Sequence, residues 1–206
     1  MAKGGSFENE VCRLLSRWVS QDERDDIFTR SDASGARFTA RRKSGKDTAY
    51  QSGDITFSDP LGEPLIRIWS IETKTGYGGK KKIKDTEGNL VKKIDERWDV
   101  LDAIDSQQKE TVLQRMWEQC KRDASAVLKE PVLIFRRNRR SPCIAIREDY
   151  YGTLVDIYGY PPMKMNMSSV SLSFTVNGIK TSLLVMALKD FFSWIPEPTF
   201  CELSCK

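Results

Sequence analysis

The sequence predicts an α/β fold, and three observations carry the prediction. An amphipathic helical pattern opens the chain. Runs of β-branched and aromatic residues broken by Pro/Gly turns follow it. A longer helical pattern then precedes more strand-like runs. No internal repeat, low-complexity tract or clear linker divides the 206 residues, a length that supports one good-sized domain with its own core.

The opening helix covers residues 7–20, where Phe7, Val11, Leu14, Leu15 and Trp18 recur at helical spacing behind Ser6 as N-cap. Glu8 aligns with Val11, Cys12, Leu15 and Val19 at the margin of the apolar stripe, whereas Glu10 points with Arg13 and Arg17 to water. Glu8 is also a first-turn acid of the kind a helix dipole favours. After a mixed stretch and a basic loop, residues 53–57 and 66–74 read as two strand arms about a turn at 59–63 holding Pro60 and Gly62. Residues 75–92, rich in glycine and lysine, predict a mobile loop, and Ile94, Trp98, Leu101 and Ile104 predict a short helix over 93–105. The longest helix covers 107–129, with Leu113, Met116, Trp117, Cys120, Ala124, Val127 and Leu128 inward. Strands follow at 132–136 and 143–147, and two more at 171–176 and 179–185 flank Asn177-Gly178, a strong hairpin signal. Phe191, Phe192 and Trp194, with Phe200 beyond them, fit either a core or a dimer surface. The simplest division is a core over 1–150 with an inserted basic stretch at about 75–106, and a C-terminal extension over 151–206 packed on that core.

Charged residues make up 30% and hydrophobic residues 39%, the balance of a soluble globular protein. No apolar run approaches the ~18 residues of a membrane span, and no apolar signal region follows Met1-Ala2-Lys3-Gly4-Gly5-Ser6. The expectation is an intracellular protein without a membrane partner, in the cytoplasm of a prokaryote or of a phage-infected host. Net charge is only +4, but the basic residues cluster. Arg37, Arg41, Arg42, Lys43 and Lys46 form one run, Lys80, Lys81, Lys82 and Lys84 a second, and Arg136, Arg137, Arg139 and Arg140 a third. Such runs neutralise phosphates and release counterions, or solubilise loops. The five cysteines form no CxxC pair; Cys12 and Cys120 sit on apolar helix faces, and Cys201-x-x-x-Cys205 lacks the partners of a zinc site. There is no histidine, which excludes Ser-His-Asp, Cys-His and histidine-based nuclease chemistry. A Walker-type loop and a GxGxxG motif are absent too. An enzyme of this composition works with carboxylates, lysine and metal.

The two arms at 53–74 hold such a set. Along a strand Ile66, Ile68, Ser70, Glu72 and Lys74 share one face, and folding the arms about residue 63 sets Asp54 opposite Glu72. Two bare carboxylates that close repel by ~4 kcal/mol at an effective dielectric near 20. The cluster calls for a cation, and oxygen ligands suit Mg²⁺, with Mn²⁺ as substitute. A divalent ion beside a lysine is a common way to cleave a phosphodiester. On a strand alone, Glu-x-Lys is more often an ordinary solvated face or a local ion pair than a catalytic motif.

The order of these pieces resembles the PD-(D/E)xK nuclease superfamily, with its restriction-endonuclease-like α-β-β-β-α-β core, here followed by a β-hairpin/helix extension. Within it the chain resembles archaeal and phage Holliday junction resolvases. The matching residues are Lys3-Gly4-Gly5-Ser6-Phe7-Glu8-Asn9-Glu10, Arg30, Ser34-Gly35, Gly53-Asp54, Ile71-Glu72-Thr73-Lys74, and Gln119 before Pro131-Val132-Leu133-Ile134-Phe135. Together they cover about residues 3–147. The insert, the long C-terminal extension and Gly53 in place of the family's proline are departures. The resemblance implies that Asp54, Glu72 and the Thr73 carbonyl bind Mg²⁺ and that Lys74 positions the attacking water or stabilises the phosphorane charge. It further implies that Glu8 reaches the metal or water shell, that Ser34 and Arg37 lie near the scissile phosphate, and that Gln119 helps from its helix. Arg41, Arg42, Lys43, the 80–84 lysines, Arg136 and Arg137 are the DNA-binding candidates. The expected activity is metal-dependent endonucleolytic cleavage of DNA, foremost symmetric nicking of four-way junctions by a homodimer. The alternatives are another nuclease of the superfamily (restriction-like, repair or nicking) and a non-catalytic DNA-binding module.

Overall fold

The computed structural model describes residues 3–31, 52–77, 80–95, 111–176 and 179–195. Helix α1 (Lys3–Val19) buries Phe7, Val11, Leu15 and Trp18, the stripe read from the sequence. It starts three residues before the expected N-cap, so Ser6 lies inside its first turns. Two short strands, β1 (Phe28–Arg30) and β2 (Ile55–Phe57), pair antiparallel with Arg30 opposite Ile55.

The two arms at 53–74 do not form a hairpin. Asp59 caps a 3-10 turn, Pro60–Gly62, by accepting the Leu61 N–H at 2.9 Å. Helix α2 (Glu63–Ile68) follows, with Pro64 in its first turn and Arg67 bonded back to Glu63 at 2.7 Å. Proline is tolerated at the start of a helix, where an N–H has no partner anyway. Ile66 and Ile68, expected on the strand face of Glu72, are therefore helical, and Ile66 is buried in the core. Strand β3 begins only at Trp69 and runs Trp69–Tyr77. Gly53 meets Ile71 in a parallel bridge instead of an antiparallel pairing.

The stretch expected as a mobile loop forms strands β4 (Lys80–Lys84) and β5 (Leu90–Asp95), paired antiparallel. Residues 93–95, expected as a helix start, belong to β5; Trp98, Leu101 and Ile104 lie outside the described residues. Helix α3 (Val112–Ser125) is entered through a reciprocal cap between Thr111 and Gln114. It buries Met116, Trp117, Cys120 and Ala124, but it stops before Leu128, which has φ +56 and is exposed where an inward side chain was expected.

Strands β6 (Glu130–Arg137) and β7 (Cys143–Arg147) come next, then helix α4 (Glu148–Tyr158). The sequence reading did not identify α4, although Tyr150 and Leu154 recur at i and i+4 behind Glu148 and Asp149. Strands β8 (Ser169–Val176) and β9 (Ile179–Ala187) form the hairpin expected about Asn177-Gly178, a pair of residues that itself lies outside the described ones. Helix α5 (Leu188–Trp194) closes the described chain.

The main sheet has strand order β3-β6-β7-β9-β8, with β3 and β6 parallel and the other neighbours antiparallel. The extension's hairpin thus continues the same sheet through β9 and β7. One side of the sheet carries a core of Phe7, Leu15, Trp18, Trp69, Ile71 and Phe191. The other side packs α3 through Met116, Trp117 and Cys120 onto Leu133, Phe135 and Leu183. Trp18 stacks on Trp69 and Phe192, and Phe191 and Trp194 are buried, so these aromatic side chains serve the core. The result is an α/β fold with a mixed five-stranded sheet flanked by helices, consistent with a restriction-endonuclease-like core. Among the described residues no helix is long and apolar enough to cross a membrane.

Candidate active site

Gly53 takes φ +79, and a Cβ there would lie 2.4 Å from the Ile71 carbonyl oxygen. Only glycine fits this approach of two backbones. It lets the Asp54 N–H donate to Ile71 O at 2.8 Å, while the Asp54 carbonyl accepts Ser31 N–H at 2.8 Å. Asp54 is thus pinned from both sides, between the edge of β3 and the end of β1. Its Oδ2 accepts the Thr73 N–H at 2.8 Å and the Thr73 hydroxyl at 3.1 Å. Sequence reasoning gave Thr73 only a carbonyl role; its side chain and N–H also orient Asp54. A β-branched hydroxyl residue between Glu72 and Lys74 was the available signal.

Glu72 and Lys74 point to the α3 side of the sheet. Glu72 is buried and pairs through Oε1 with the Lys74 ammonium, and Gln119 Nε2 on α3 donates to the same oxygen at 3.0 Å. Burial, then the charge of Asp54, pushes the Glu72 carboxyl up to about 7, against the opposing pull of Lys74. Asp123, one turn after Gln119, adds to the upward push and was not anticipated. The Cys120 thiol is raised by burial first and by Glu72 next, which makes it an inert small hydrophobe against the strand.

Asp54 and Glu72 fit a hard divalent cation. Among the described residues, Asp54 Oδ1 and Glu72 Oε2 carry no hydrogen bond, so each carboxylate has an oxygen to offer. The repulsion that lifts Glu72 is relieved by positive charge. No cluster of three or more His, Cys, Asp or Glu side chains gathers as a metal cage among the described residues. Two carboxylates with an oxygen each to offer are the donor type that hard divalent ions take.

The remaining candidates divide. Glu8 pairs with Arg30, and its side chain is 17% exposed against 41% for Glu10. Glu10, expected simply on the wet face, holds Arg136 Nη1 with both oxygens at 2.7 Å, and Arg136 lies 4.5 Å over the Phe7 ring. Arg136 is thereby committed to α1. Arg136, Arg137, Arg139 and Arg140 line a cleft of about 350 Å³ with Thr75 and Gly76, at the end of β3 just beyond Lys74. Lys80, Lys81, Lys82 and Lys84 lie on β4. Ser34, Arg37, Arg41, Arg42 and Lys43 lie outside the described residues, as do Phe200, Cys201 and Cys205.

No curated protein and no solved structure gives a match to this chain. A family model described as "Phage putative PDDEXK endonuclease" matches residues 90–199, just over half of the chain. The matched span runs from the start of β5 past α5 and contains Gln119, Arg136 and Arg137; Asp54, Glu72 and Lys74 precede it.

Proposed function

We propose that this chain, which belongs to that phage PDDEXK endonuclease family, hydrolyses DNA phosphodiesters at the site of Asp54, Glu72 and Lys74. The observation that carries the proposal is the pairing of a backbone-pinned Asp54 with a buried Glu72 whose carboxyl that neighbour helps push up to about 7. Two carboxylates and one ammonium on adjoining backbone segments are costly without a purpose. Asp54, Glu72 and the Thr73 carbonyl would hold the divalent ion, Mg²⁺ or Mn²⁺. When bound, that ion supplies Lewis-acid stabilisation of charge on the phosphoryl oxygens.

The chain's own groups do the rest. Thr73 fixes the Asp54 carboxylate through two hydrogen bonds. Gln119 fixes Glu72 from the helix side. Lys74 keeps a proton-rich ammonium at Glu72 Oε1, where it can orient an attacking water or meet the charge of the pentavalent transition state. Glu8 would act at the rim through Arg30, and Ser34 and Arg37 near the scissile phosphate. The basic runs at 37–46 and 80–84, with Arg137, Arg139 and Arg140 beside the committed Arg136, would hold DNA arms. The substrate we assign is a four-way junction, nicked symmetrically by a homodimer, on the resemblance to junction resolvases.

The test compares a four-way junction with linear duplex of the same sequence, with Mg²⁺ and with EDTA. Junction cleavage that EDTA stops and that Asp54→Asn abolishes without loss of binding is the expected result. Full activity of Asp54→Asn sinks the site. Equal cutting of both substrates sinks the junction assignment and leaves a general endonuclease of the family.

A further inference from the structure

Strand β8 is an end strand of the main sheet, and among the described residues it pairs only with β9. Its sequence, Ser169-Val170-Ser171-Leu172-Ser173-Phe174-Thr175-Val176, alternates hydroxyl and apolar residues and contains no charge. Two residues separate Val176 from its partner Ile179, so this is the hydrogen-bonded closing pair of a two-residue hairpin. Narrow and wide pairs alternate along an antiparallel ladder. The N–H and C=O groups of Ser169, Ser171, Ser173 and Thr175 therefore point away from β9, along the open edge.

Proteins usually guard such an edge with lysine, proline, a bulge or a covering loop. The β8–β9 register runs without a shift from Ser169 to Val176, and no charge or proline interrupts the strand. Val170 is 40% exposed at the strand's start. The other end of the main sheet differs, because β3 there takes the Gly53 backbone.

We propose that the β8 edge is the two-fold contact between two copies of this chain, paired antiparallel into one continuous ten-stranded sheet. Three features select a second copy as the occupant. Antiparallel pairing about a two-fold sets apolar residues opposite apolar ones and hydroxyls opposite hydroxyls, for instance Leu172 against Phe174 and Ser171 against Thr175 when Ser173 lies on the axis. An uncharged strand meets its own copy without like-charge repulsion. The contact is isologous and uses up the open edge, so it closes at a dimer and does not grow into a filament.

The inference rests on the homodimer of the proposed function and supplies its surface. A two-fold perpendicular to the sheet leaves both α3 layers on one side. Nine strand spacings then separate the two β3 strands, roughly 43 Å before twist. That is about 13 base pairs at 3.4 Å each, so the two sites would address separate phosphates on well-separated DNA segments.

Sedimentation of the full chain tests the surface, with Ser173→Pro and Val170→Lys as variants. Proline at Ser173 removes an outward N–H and keeps the backbone pairing with β9, at the loss of one exposed hydroxyl contact with Ser182. The expected result is a wild-type dimer whose dissociation constant rises at least about 100-fold in both variants, or roughly 2.7 kcal/mol, while each variant still unfolds cooperatively as a folded monomer. A wild-type chain that stays monomeric at about 100 μM, or a dimer unaffected by both substitutions, overturns the proposal. DNA cleavage measured on the same samples separates the two readings: a cleaving monomer refutes the β8 contact alone, and an edge-dependent dimer that never cleaves refutes the nuclease site alone.

Discussion

Replacing Gly53 by alanine should damage catalysis more than any other single-methyl change in the chain. Gly53 holds φ +79, and a non-glycine residue in that left-handed region costs roughly 1–2 kcal/mol. The added Cβ would lie 2.4 Å from Ile71 O and 2.9 Å from Ile71 N, both backbone atoms that no rotamer change can move aside. The two segments must part. Parting strains the Asp54 N–H to Ile71 O bond, worth about 1 kcal/mol, and the Thr73 N–H to Asp54 carboxylate bond, worth about 1.5–3 kcal/mol. The sum is roughly 3.5–6 kcal/mol, a large share of the 5–15 kcal/mol by which domains are stable. Where the protein accommodates the change, Asp54 moves, and a displacement near 1 Å costs on the order of 100-fold in rate. Urea unfolding, junction affinity and single-turnover cleavage should be measured together. Lower stability, near-normal affinity and at least a 100-fold slower cleavage are expected. Gly53→Pro should be worse, since proline fixes φ near −65°, although the resembling nucleases carry proline at this place. Cleavage within threefold of wild type in Gly53→Ala would refute the pinning of Asp54 by this contact.

In EDTA, the Glu72 carboxyl, raised from 4.5 to about 7 by burial and Asp54, should make stability fall as pH rises from about 4.5 to 7 and then level off. The folded state holds a proton there that the unfolded state has released, so the loss amounts to at most about 3–4 kcal/mol; denaturant titrations should show it, Glu72→Gln should flatten it, and Mg²⁺ should restore stability at neutral pH. Glu8→Gln should slow cleavage by loosening Arg30, whereas Glu10→Gln should leave the rate unchanged and cost under about 1 kcal/mol, since its pair with Arg136 is partly exposed; equal losses in kinetic assays of both would contradict the assignment. Replacing Lys80, Lys81, Lys82 and Lys84 with alanine should weaken DNA binding and reduce the salt slope of log K by up to about 3–4, at roughly 0.9 per phosphate contact; an unchanged slope in fluorescence titrations would remove β4 from the DNA surface.

What the sequence disclosed depended on how local each signal was. Helix α1 was legible from one apolar stripe, and the β8–β9 hairpin from Asn177-Gly178, because both are set by residues a few positions apart. The joining of that hairpin to the main sheet was not legible. Nothing in Leu183 or Leu184 says that β9 will lie beside β7, since that pairing is decided by which apolar faces remain to be covered. Helix α4 was missed because Tyr150 and Leu154 follow directly on a strand, and the change of period from two to 3.6 falls at Arg147 without a Gly or Pro to mark it.

Asp54 and Glu72 lie together despite an error about their scaffold, and the reason is physical. Ile66 and Ile68 looked like strand residues because they are β-branched, and Pro60 with Gly62 looked like a hairpin turn. Asp59 and Pro64 instead start helical turns, and burial of Leu65 and Ile66 outweighs the modest helix penalty of a branched residue. A true hairpin would run the Asp54 strand antiparallel to β3 and make their proximity depend on turn register. In the structure the six-residue helix absorbs the reversal, so the two segments meet in parallel at Gly53 and Ile71. Asp54 then follows Gly53 by one residue just as Glu72 follows Ile71, and both carboxylates emerge at the same level of the sheet. Proximity therefore rests on one glycine contact, the feature that the sequence displayed only as the absence of a side chain.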